Sequence, residues 1–313
     1  MRTAIIRVLT MIPLIALVAT GSFFLSQMSE IDPAENIVGA NASEDQIQAV
    51  RAALGLDRSA VDQYLTWISG ILHGDFGTSF YSGASVGQLM SQALPVTLSL
   101  TIGGLVVGII LGVGSGVIAA LKAGSSIDRG VILLATAGQA APSFWLGMLL
   151  IYLFAIKLDL LPATGYVPLS ASVTGWIESL ILPSIALGLA VAAALSRQAR
   201  SSTIGVLQKD YIRTALSKGL SRRRVIVKHA SKNAAAPVVT SLSFQIAHLL
   251  GGAIVIERLF AMPGIGTLTI DAVLRYDPNV IQAVVIFSVV IVVIVNLALD
   301  LSYLWLNPKV RSV

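Results

Sequence analysis

The chain has 313 residues, of which 55% are hydrophobic and 12% charged, with a net charge of +5 and no cysteine. Its mean hydropathy of +0.84 excludes an ordinary soluble domain and leaves room for several membrane spans of about 20 residues each. The missing cysteines exclude a disulfide framework and a thiolate metal site, and the positive charge reads as membrane topology rather than nucleic-acid binding.

Residues 8–25 are uncharged and follow Arg2 and Arg7. Ala19-Thr20-Gly21 resembles a signal cleavage site, but the run is long for a signal core, so a retained transmembrane helix over residues 1–28 is expected. Residues 29–92 are polar and rich in acidic side chains, and read as an extracytoplasmic helical region. Ser43 and Gln46 form a capping box and Gly55 ends that helix. A second helix places Val61, Tyr64, Leu65, Ile68 and Leu72 on one packing face. Two uses fit: a lid or contact for a substrate-binding protein, or a structural cap over the spans.

Residues 93–306 read as a transmembrane core. The second span covers 95–121, and Gly104, Gly108, Gly112 and Gly116 recur at every fourth residue. They form a ridge of bare backbone that permits close helix contact in lipid. Packing within the subunit is the expected use; a subunit interface or pore wall is the other. Residues 122–130 are a short basic turn. The third span, 131–156, is kinked by Pro142, with Gln139 one turn before it at membrane depth. An external loop over 157–178, a short fourth span over 180–196 and a fifth over 234–256 follow. Gln245 and His248 lie inside the fifth. Residues 257–278 read as external and hydrophobic, and 280–306 form the sixth span, before a cytoplasmic tail at 307–313. Polar groups at membrane depth usually face protein or a water-filled cavity, so Gln139, Ser143, Gln245 and His248 are the candidate translocation-pathway residues.

Alternating six spans puts sixteen of the twenty-one Lys/Arg residues on one side, including Arg2, Arg7, Lys122, Arg129, ten from Arg197 to Lys232, Lys309 and Arg311. Arg51, Arg58, Lys157, Arg258 and Arg275 fall on the other. The basic side is therefore cytoplasmic, with both termini and residues 197–233 on it. That basic stretch would also meet anionic lipid.

The chain has no phosphate-cradling G-x-x-x-x-G-K-[ST] and no H-E-x-x-H sequence, so neither nucleotide binding nor zinc-dependent hydrolysis is expected of it. Its three histidines, His73, His229 and His248, sit on different elements, so no metal site is expected. The middles of the spans lack Asp, Glu, Lys and Arg, with Asp300 near one end of the last. An ion-coupled carrier acting alone is thereby disfavoured. An intramembrane enzyme would rest only on Ser115 and His248, without motif context.

Residues 210–237 read DYIRTALSKGLSRRRVIVKHASKNAAAP. Tyr211, Ile212, Ala215 and Leu216 share a helical face. Lys218 suits the negative helix end, Gly219 stops the helix, and Ser221 after Leu220 is positioned as the next N-cap. This helix, stop and restart between two spans reads as a docking elbow.

The stretch resembles the cytoplasmic motif of permease subunits of ATP-driven importers, Glu-Ala-Ala, three residues, Gly, nine residues, Ile-x-Leu-Pro. Gly219 takes the glycine position, Ala215 and Thr214 the alanines, and Arg213 the glutamate. His229, Ala230, Ser231 and Lys232 replace the Ile-x-Leu-Pro end. These departures agree with the dipeptide/oligopeptide/nickel branch, whose fixed letters are all present from Asp210 to Pro237. The resemblance extends to GDFGTS (74–79), PSFWLG (142–147), LPATGY (161–166) and PGIG (263–266).

The resemblance implies an all-α membrane protein of six transmembrane helices with a type I, MetI-like importer architecture, most like the first permease subunit of a dipeptide system. It implies a second homologous permease, two cytoplasmic ATPases that use ATP and magnesium, an extracytoplasmic solute-binding protein, and residence in the bacterial inner membrane. The chain itself would be non-catalytic and bind no cofactor or nucleic acid. Asp210, Tyr211, Arg213, Thr214, Ala215, Gly219, Leu220, Ser221 and His229 would couple to the ATPases. Di- or oligopeptide is the expected solute, with nickel or a nickel chelate as the alternative.

Overall fold

The computed structural model describes residues 2–28, 32–39 and 41–306; the expected tail at 307–313, with Lys309 and Arg311, lies outside them. The elements among the described residues are helices: α1 (Arg2–Gln27), α2 (Pro33–Val38), α3 (Glu44–Ala53), α4 (Ala60–Leu72), α5 (Val86–Leu121), α6 (Ser126–Ala140), α7 (Ser143–Lys157), α8 (Val173–Leu207), α9 (Asp210–Ser217), α10 (Arg222–Leu259), α11 (Ile265–Leu274) and α12 (Pro278–Leu306). α5, α8, α10 and the Pro278–Val295 part of α12 are long and apolar enough to cross a membrane. The α6–α7 pair adds a fifth candidate, and Met11–Gln27 of α1 is a shorter apolar helix.

Several elements differ from the sequence-based expectation. α5 starts at Val86 and carries Pro95 inside it, because Val86, Met90 and Ala93 recur at helical spacing and are buried together. The third span is broken rather than kinked: α6 and α7 meet at 103°, with Pro142 in extended conformation (φ −63°, ψ 137°) at the start of α7. Proline both lacks the amide hydrogen and biases its predecessor away from helix. The fourth span is the 35-residue α8, and the second helix of the elbow runs without a break into the fifth span as α10.

The chain divides into two compact units, residues 1–96 with 263–293, and residues 97–262 with 294–313. In the first, Val86, Met90 and Ala93 pack with Ile265, Ala272, Val280, Ala283 and Val284. The GDFGTS stretch clasps the start of α12. Ser79 donates to buried Asp277 at 2.5 Å, Asn279 donates to the Thr78 carbonyl at 2.8 Å, and Phe76 packs on Phe287. The capping box forms as expected, with Gln46 N–H to Ser43 Oγ and Ser43 N–H to Gln46 Oε1, and Gly55 follows α3 at φ +69°. α4 packs only part of the expected face, with Tyr64 and Ile68 half-buried and Trp67 joining them. Tyr64 and Trp67 meet Phe23 and Phe24 of α1, and Tyr64 hydroxyl bonds Thr20 Oγ1 at 2.8 Å. Val61, Leu65 and Leu72 are exposed.

In the second unit α8 is central. It packs against α5, α6, α7 and α10 and buries residues along nearly its whole length. The glycine ridge of α5 faces it. A Cβ on Gly108 would lie 2.6 Å from Val191, and one on Gly112 would lie 2.6 Å from the Ala192 carbonyl oxygen. Gly104 and Gly116 meet Leu187 and Ser196 in the same way. The ridge thus serves packing within the chain. Within this ridge, over Gly108–Val113, α5 widens into a π-helical turn.

Candidate functional site

The elbow is a small core wrapped by basic side chains. Ile212 of α9 is buried with Val206, Val225, Ala230 and Ala234, and Ala215 and Leu220 pack on them. α9 ends in a Schellman motif: Gly219 N–H bonds the Leu216 carbonyl (2.9 Å), and Leu220 N–H bonds that of Ala215 (3.4 Å). Leu220 and Ala215 both pack on the same apolar core, as the flanking residues of this motif commonly do. Gly219 has φ +82°, and a Cβ there would meet nothing within 4 Å. Within this chain the glycine is needed for its backbone alone.

Ser221 stands at the N-cap position of α10 with extended backbone, but its side chain makes no capping bond. The Ser221 carbonyl accepts the first intrahelical bond, from the Val225 N–H at 3.0 Å. The tie between α9 and α10 comes from Asn233, whose Nδ2 donates to Tyr211 hydroxyl at 2.9 Å. The expected shared face of α9 divides: Ile212 is buried and Ala215 half-buried, whereas Tyr211 and Leu216 are 40% and 44% exposed. Asp210, Arg213 and Thr214 are also exposed, and His229 is half-buried. Arg213 approaches Asp210 at 3.9 Å with both side chains in solvent, a pair that contributes little. The outer surface is therefore Tyr211, Leu216 and Val227 set among Arg213, Lys218 and Arg222 to Arg224.

Two ties fix the helix that delivers the elbow. Ser202 of α8 donates to the Ala234 carbonyl at 2.9 Å. Asp128, 2% exposed, accepts from Arg200 Nε (2.5 Å) and Nη2 (2.8 Å) and from the Gly124 N–H. This bidentate pair joins α6 to α8, and sequence reading passed over it as part of a basic turn. The available signal was the Ser125-x-x-Asp128 spacing, which caps α6.

A second constellation lies at the break between α6 and α7. Gln139, Pro142, Ser143, Leu187, His248 and Gly252 are among the residues that line a cavity of about 220 Å³. The structure thus brings Gln139, Ser143 and His248 together, on α6, α7 and α10. Gln245 does not line this cavity; it is half-buried elsewhere on α10. Ser115 lies 3.0 Å from Ser196 Oγ and 3.2 Å from the Gly112 carbonyl, so its hydroxyl is engaged by α5 and α8 rather than by His248.

Glu257, expected in an external segment, is instead fully buried at the end of α10, where Thr97 donates to it at 2.5 Å. Sequence reading missed this α5–α10 tie because 160 residues separate its ends. Nearby, the Gly165 N–H of LPATGY donates to the Phe260 carbonyl at 2.7 Å. In PSFWLG, a Cβ on Gly147 would lie 2.6 Å from Leu259. These two motifs are contacts onto the end of α10.

Comparison with known proteins agrees with this architecture. The family described as binding-protein-dependent transport system inner membrane component matches residues 104–312, and the N-terminal part of such membrane components matches residues 1–101. A Brucella melitensis protein provisionally named a peptide transport system permease is 40% identical over 99% of both chains. The glutathione transport system permease protein GsiC of Escherichia coli K12 is 39% identical over 97% of both. An inward-facing structure of the MetNI methionine ABC transporter superposes with a TM-score of 0.57 at 16% identity, covering 70% of this chain and 97% of that one. The chain is all-α with a MetI-type permease fold, and it belongs to the family of binding-protein-dependent transport system inner-membrane components, the multi-pass permease subunits of ABC transporters.

Proposed function

We propose that this permease subunit carries di- or oligopeptides across the cytoplasmic membrane by alternating access, driven by separate ATPases that dock on the elbow. The observation that carries the reading is the elbow's construction. A short helix is stopped by a Schellman glycine, held on the ends of α8 and α10 by its own apolar core, and left with Tyr211 and Leu216 exposed among cations. Such a rigid knob transmits displacement to two spans at once. The peptide and glutathione names of the relatives favour peptide as solute over nickel.

In this reading the chain has six spans, with α1 and the α6–α7 pair completing the four long ones, and both termini lie in the cytoplasm. It assembles with a second homologous permease, two ATPases that use ATP and magnesium, an extracytoplasmic binding protein and lipid. It is itself non-catalytic and holds no cofactor or nucleic acid. Asp210, Tyr211, Arg213, Thr214, Ala215, Gly219, Leu220, Ser221 and His229 form or support the ATPase contact. Gln139, Ser143 and His248 line part of the pathway, and Gln245 flanks it.

The test is uptake of a labelled tripeptide by proteoliposomes holding the complete transporter. ATP-dependent accumulation that fails without the binding protein is expected. Nickel accumulation without peptide accumulation would contradict the solute assignment.

A further inference from the structure

We propose that the unit formed by residues 1–96 and 263–293 carries a binding site of its own, for a zwitterion with a primary ammonium, an anionic group and a short apolar body. A cavity of about 670 Å³ lies within this unit, a volume in the range of small-molecule sites. Its lining comes from the end of α1, α3 and α4, the 75–80 loop and the start of α12. Phe23, Trp67, Phe76, Phe80 and Tyr276 supply aromatic wall, which suits an apolar body and a cation over a ring face.

The polar groups in that wall are unevenly satisfied. Gln282 is 3% exposed. Its Nε2 donates to Ser26 Oγ at 2.9 Å, while its Oε1 has no hydrogen-bond partner. A buried carbonyl oxygen without a donor is unfavourable, and an entering N–H relieves it. Four charged side chains line the cavity. Asp32 and Arg51 satisfy each other. Asp75 uses one oxygen for the Gly77 N–H at 2.9 Å, which leaves the other for a ligand donor. The Arg58 guanidinium is bonded to no carboxylate among the described residues. One carboxylate, one open amide oxygen and one guanidinium beside aromatic rings therefore call for an ammonium with several N–H donors, an anion and an apolar segment between or beside them.

Two sources share that chemistry: a short peptide with free termini, and the headgroup of phosphatidylethanolamine. Only the peptide source rests on the import reading above. The full chain, labelled with 5-fluorotryptophan and held in phosphatidylcholine nanodiscs, tests the site through the fluorine resonance of Trp67, assigned with Trp67→Phe. Trialanine with free termini is expected to shift that resonance saturably, and N-acetyl-trialanine amide is expected to leave it unmoved. Arg58→Ala, Asp75→Asn and Gln282→Leu should each weaken the response by about tenfold, as loss of one charge-assisted or buried hydrogen bond implies.

A shift on doping the discs with phosphatidylethanolamine, with trialanine silent, supports the site and assigns it to lipid. Silence towards both, or equal shifts from free and blocked trialanine, overturns it. Those comparisons use the unmutated chain, so a variant that fails to fold does not decide them. Peptide uptake by the complete transporter with a silent Trp67 overturns this site and leaves the import reading standing. A Trp67 response to phosphatidylethanolamine without peptide uptake does the reverse.

Discussion

Gly219 shows how a single residue type is selected by backbone rather than by space. Its φ of +82° strains any L side chain by about 1–2 kcal/mol, yet a Cβ would meet no atom of this chain. Gly219→Ala is therefore expected to lower stability by only about 1 kcal/mol, read as a small shift in thermal melting of the detergent-solubilised chain. Ser221→Ala removes no side-chain capping bond and is expected to leave melting within error of the unmutated protein; a loss near 1 kcal/mol, the usual worth of a cap, would show that the serine caps α10 after all. The helix stop was legible in sequence because it depends on neighbours within four residues. The fate of the Ser221 side chain was not, since residue type at an N-cap position does not fix the rotamer that would meet the Arg223 or Arg224 N–H.

Asp32 and Arg51 form a tie between α2 and α3 that pH can loosen. Burial pushes the Asp32 carboxyl up, but the Arg51 hydrogen bond, the Ala34 N–H and the Arg51 charge outweigh it and hold it below its ordinary value of 3.8. A lowered carboxylate pKa stabilises the fold above its unfolded value and loses that contribution as pH falls through the folded one. A spin-label distance between α2 and α3 should thus stay constant from neutral pH down to the ordinary carboxylate range and broaden below it. Asp32→Asn should broaden it already at neutral pH. Broadening of the unmutated protein near neutrality would implicate a different group.

At the scale of elements, the glycine ridge of α5 makes a sharp comparison. Gly112→Leu would drive a side chain into the Ala192 backbone and Leu195, an overpacking that costs about 1–3 kcal/mol or more. Gly114, two residues on, has nothing within 4 Å of its Cβ position, so Gly114→Leu should be tolerated. Equal yields of monodisperse protein from both variants would contradict α5–α8 packing. The four-residue repeat announced the ridge in sequence, but not its partner. Gly188, Val191 and Ala192 belong to a helix read as a short span, and only the folded α8 reveals that this span is the centre of its unit. The Asp128–Arg200 and Thr97–Glu257 ties were hidden for the same reason, since helical periodicity carries no information about which distant helix a polar residue will meet. Asp128→Asn should weaken the α6–α8 junction, seen as a lower melting temperature, with Arg200 left short of its charge partner.

At the scale of the whole molecule, the basic bias predicts an orientation that can be measured. Reporter fusions after Gln92, Gly165 and Asp271 should report outside, and fusions after Ser125, Gly205 and Lys309 inside. An outside signal at Gly205 would remove the elbow from any cytoplasmic ATPase. The absence of native cysteine allows direct proximity mapping, and Leu216→Cys should crosslink to a single cysteine in an ATPase cleft. The most direct measurement of the elbow's role is ATP-driven peptide uptake by the complete transporter with Gly219→Val in this subunit, scored together with membrane insertion and ATPase occupancy. Because the glycine lies outside both the spans and the elbow's buried core, insertion and pairing with the sister permease should persist, while ATPase docking or uptake is lost. Full uptake at unmutated ATPase occupancy would contradict the elbow as the coupling element.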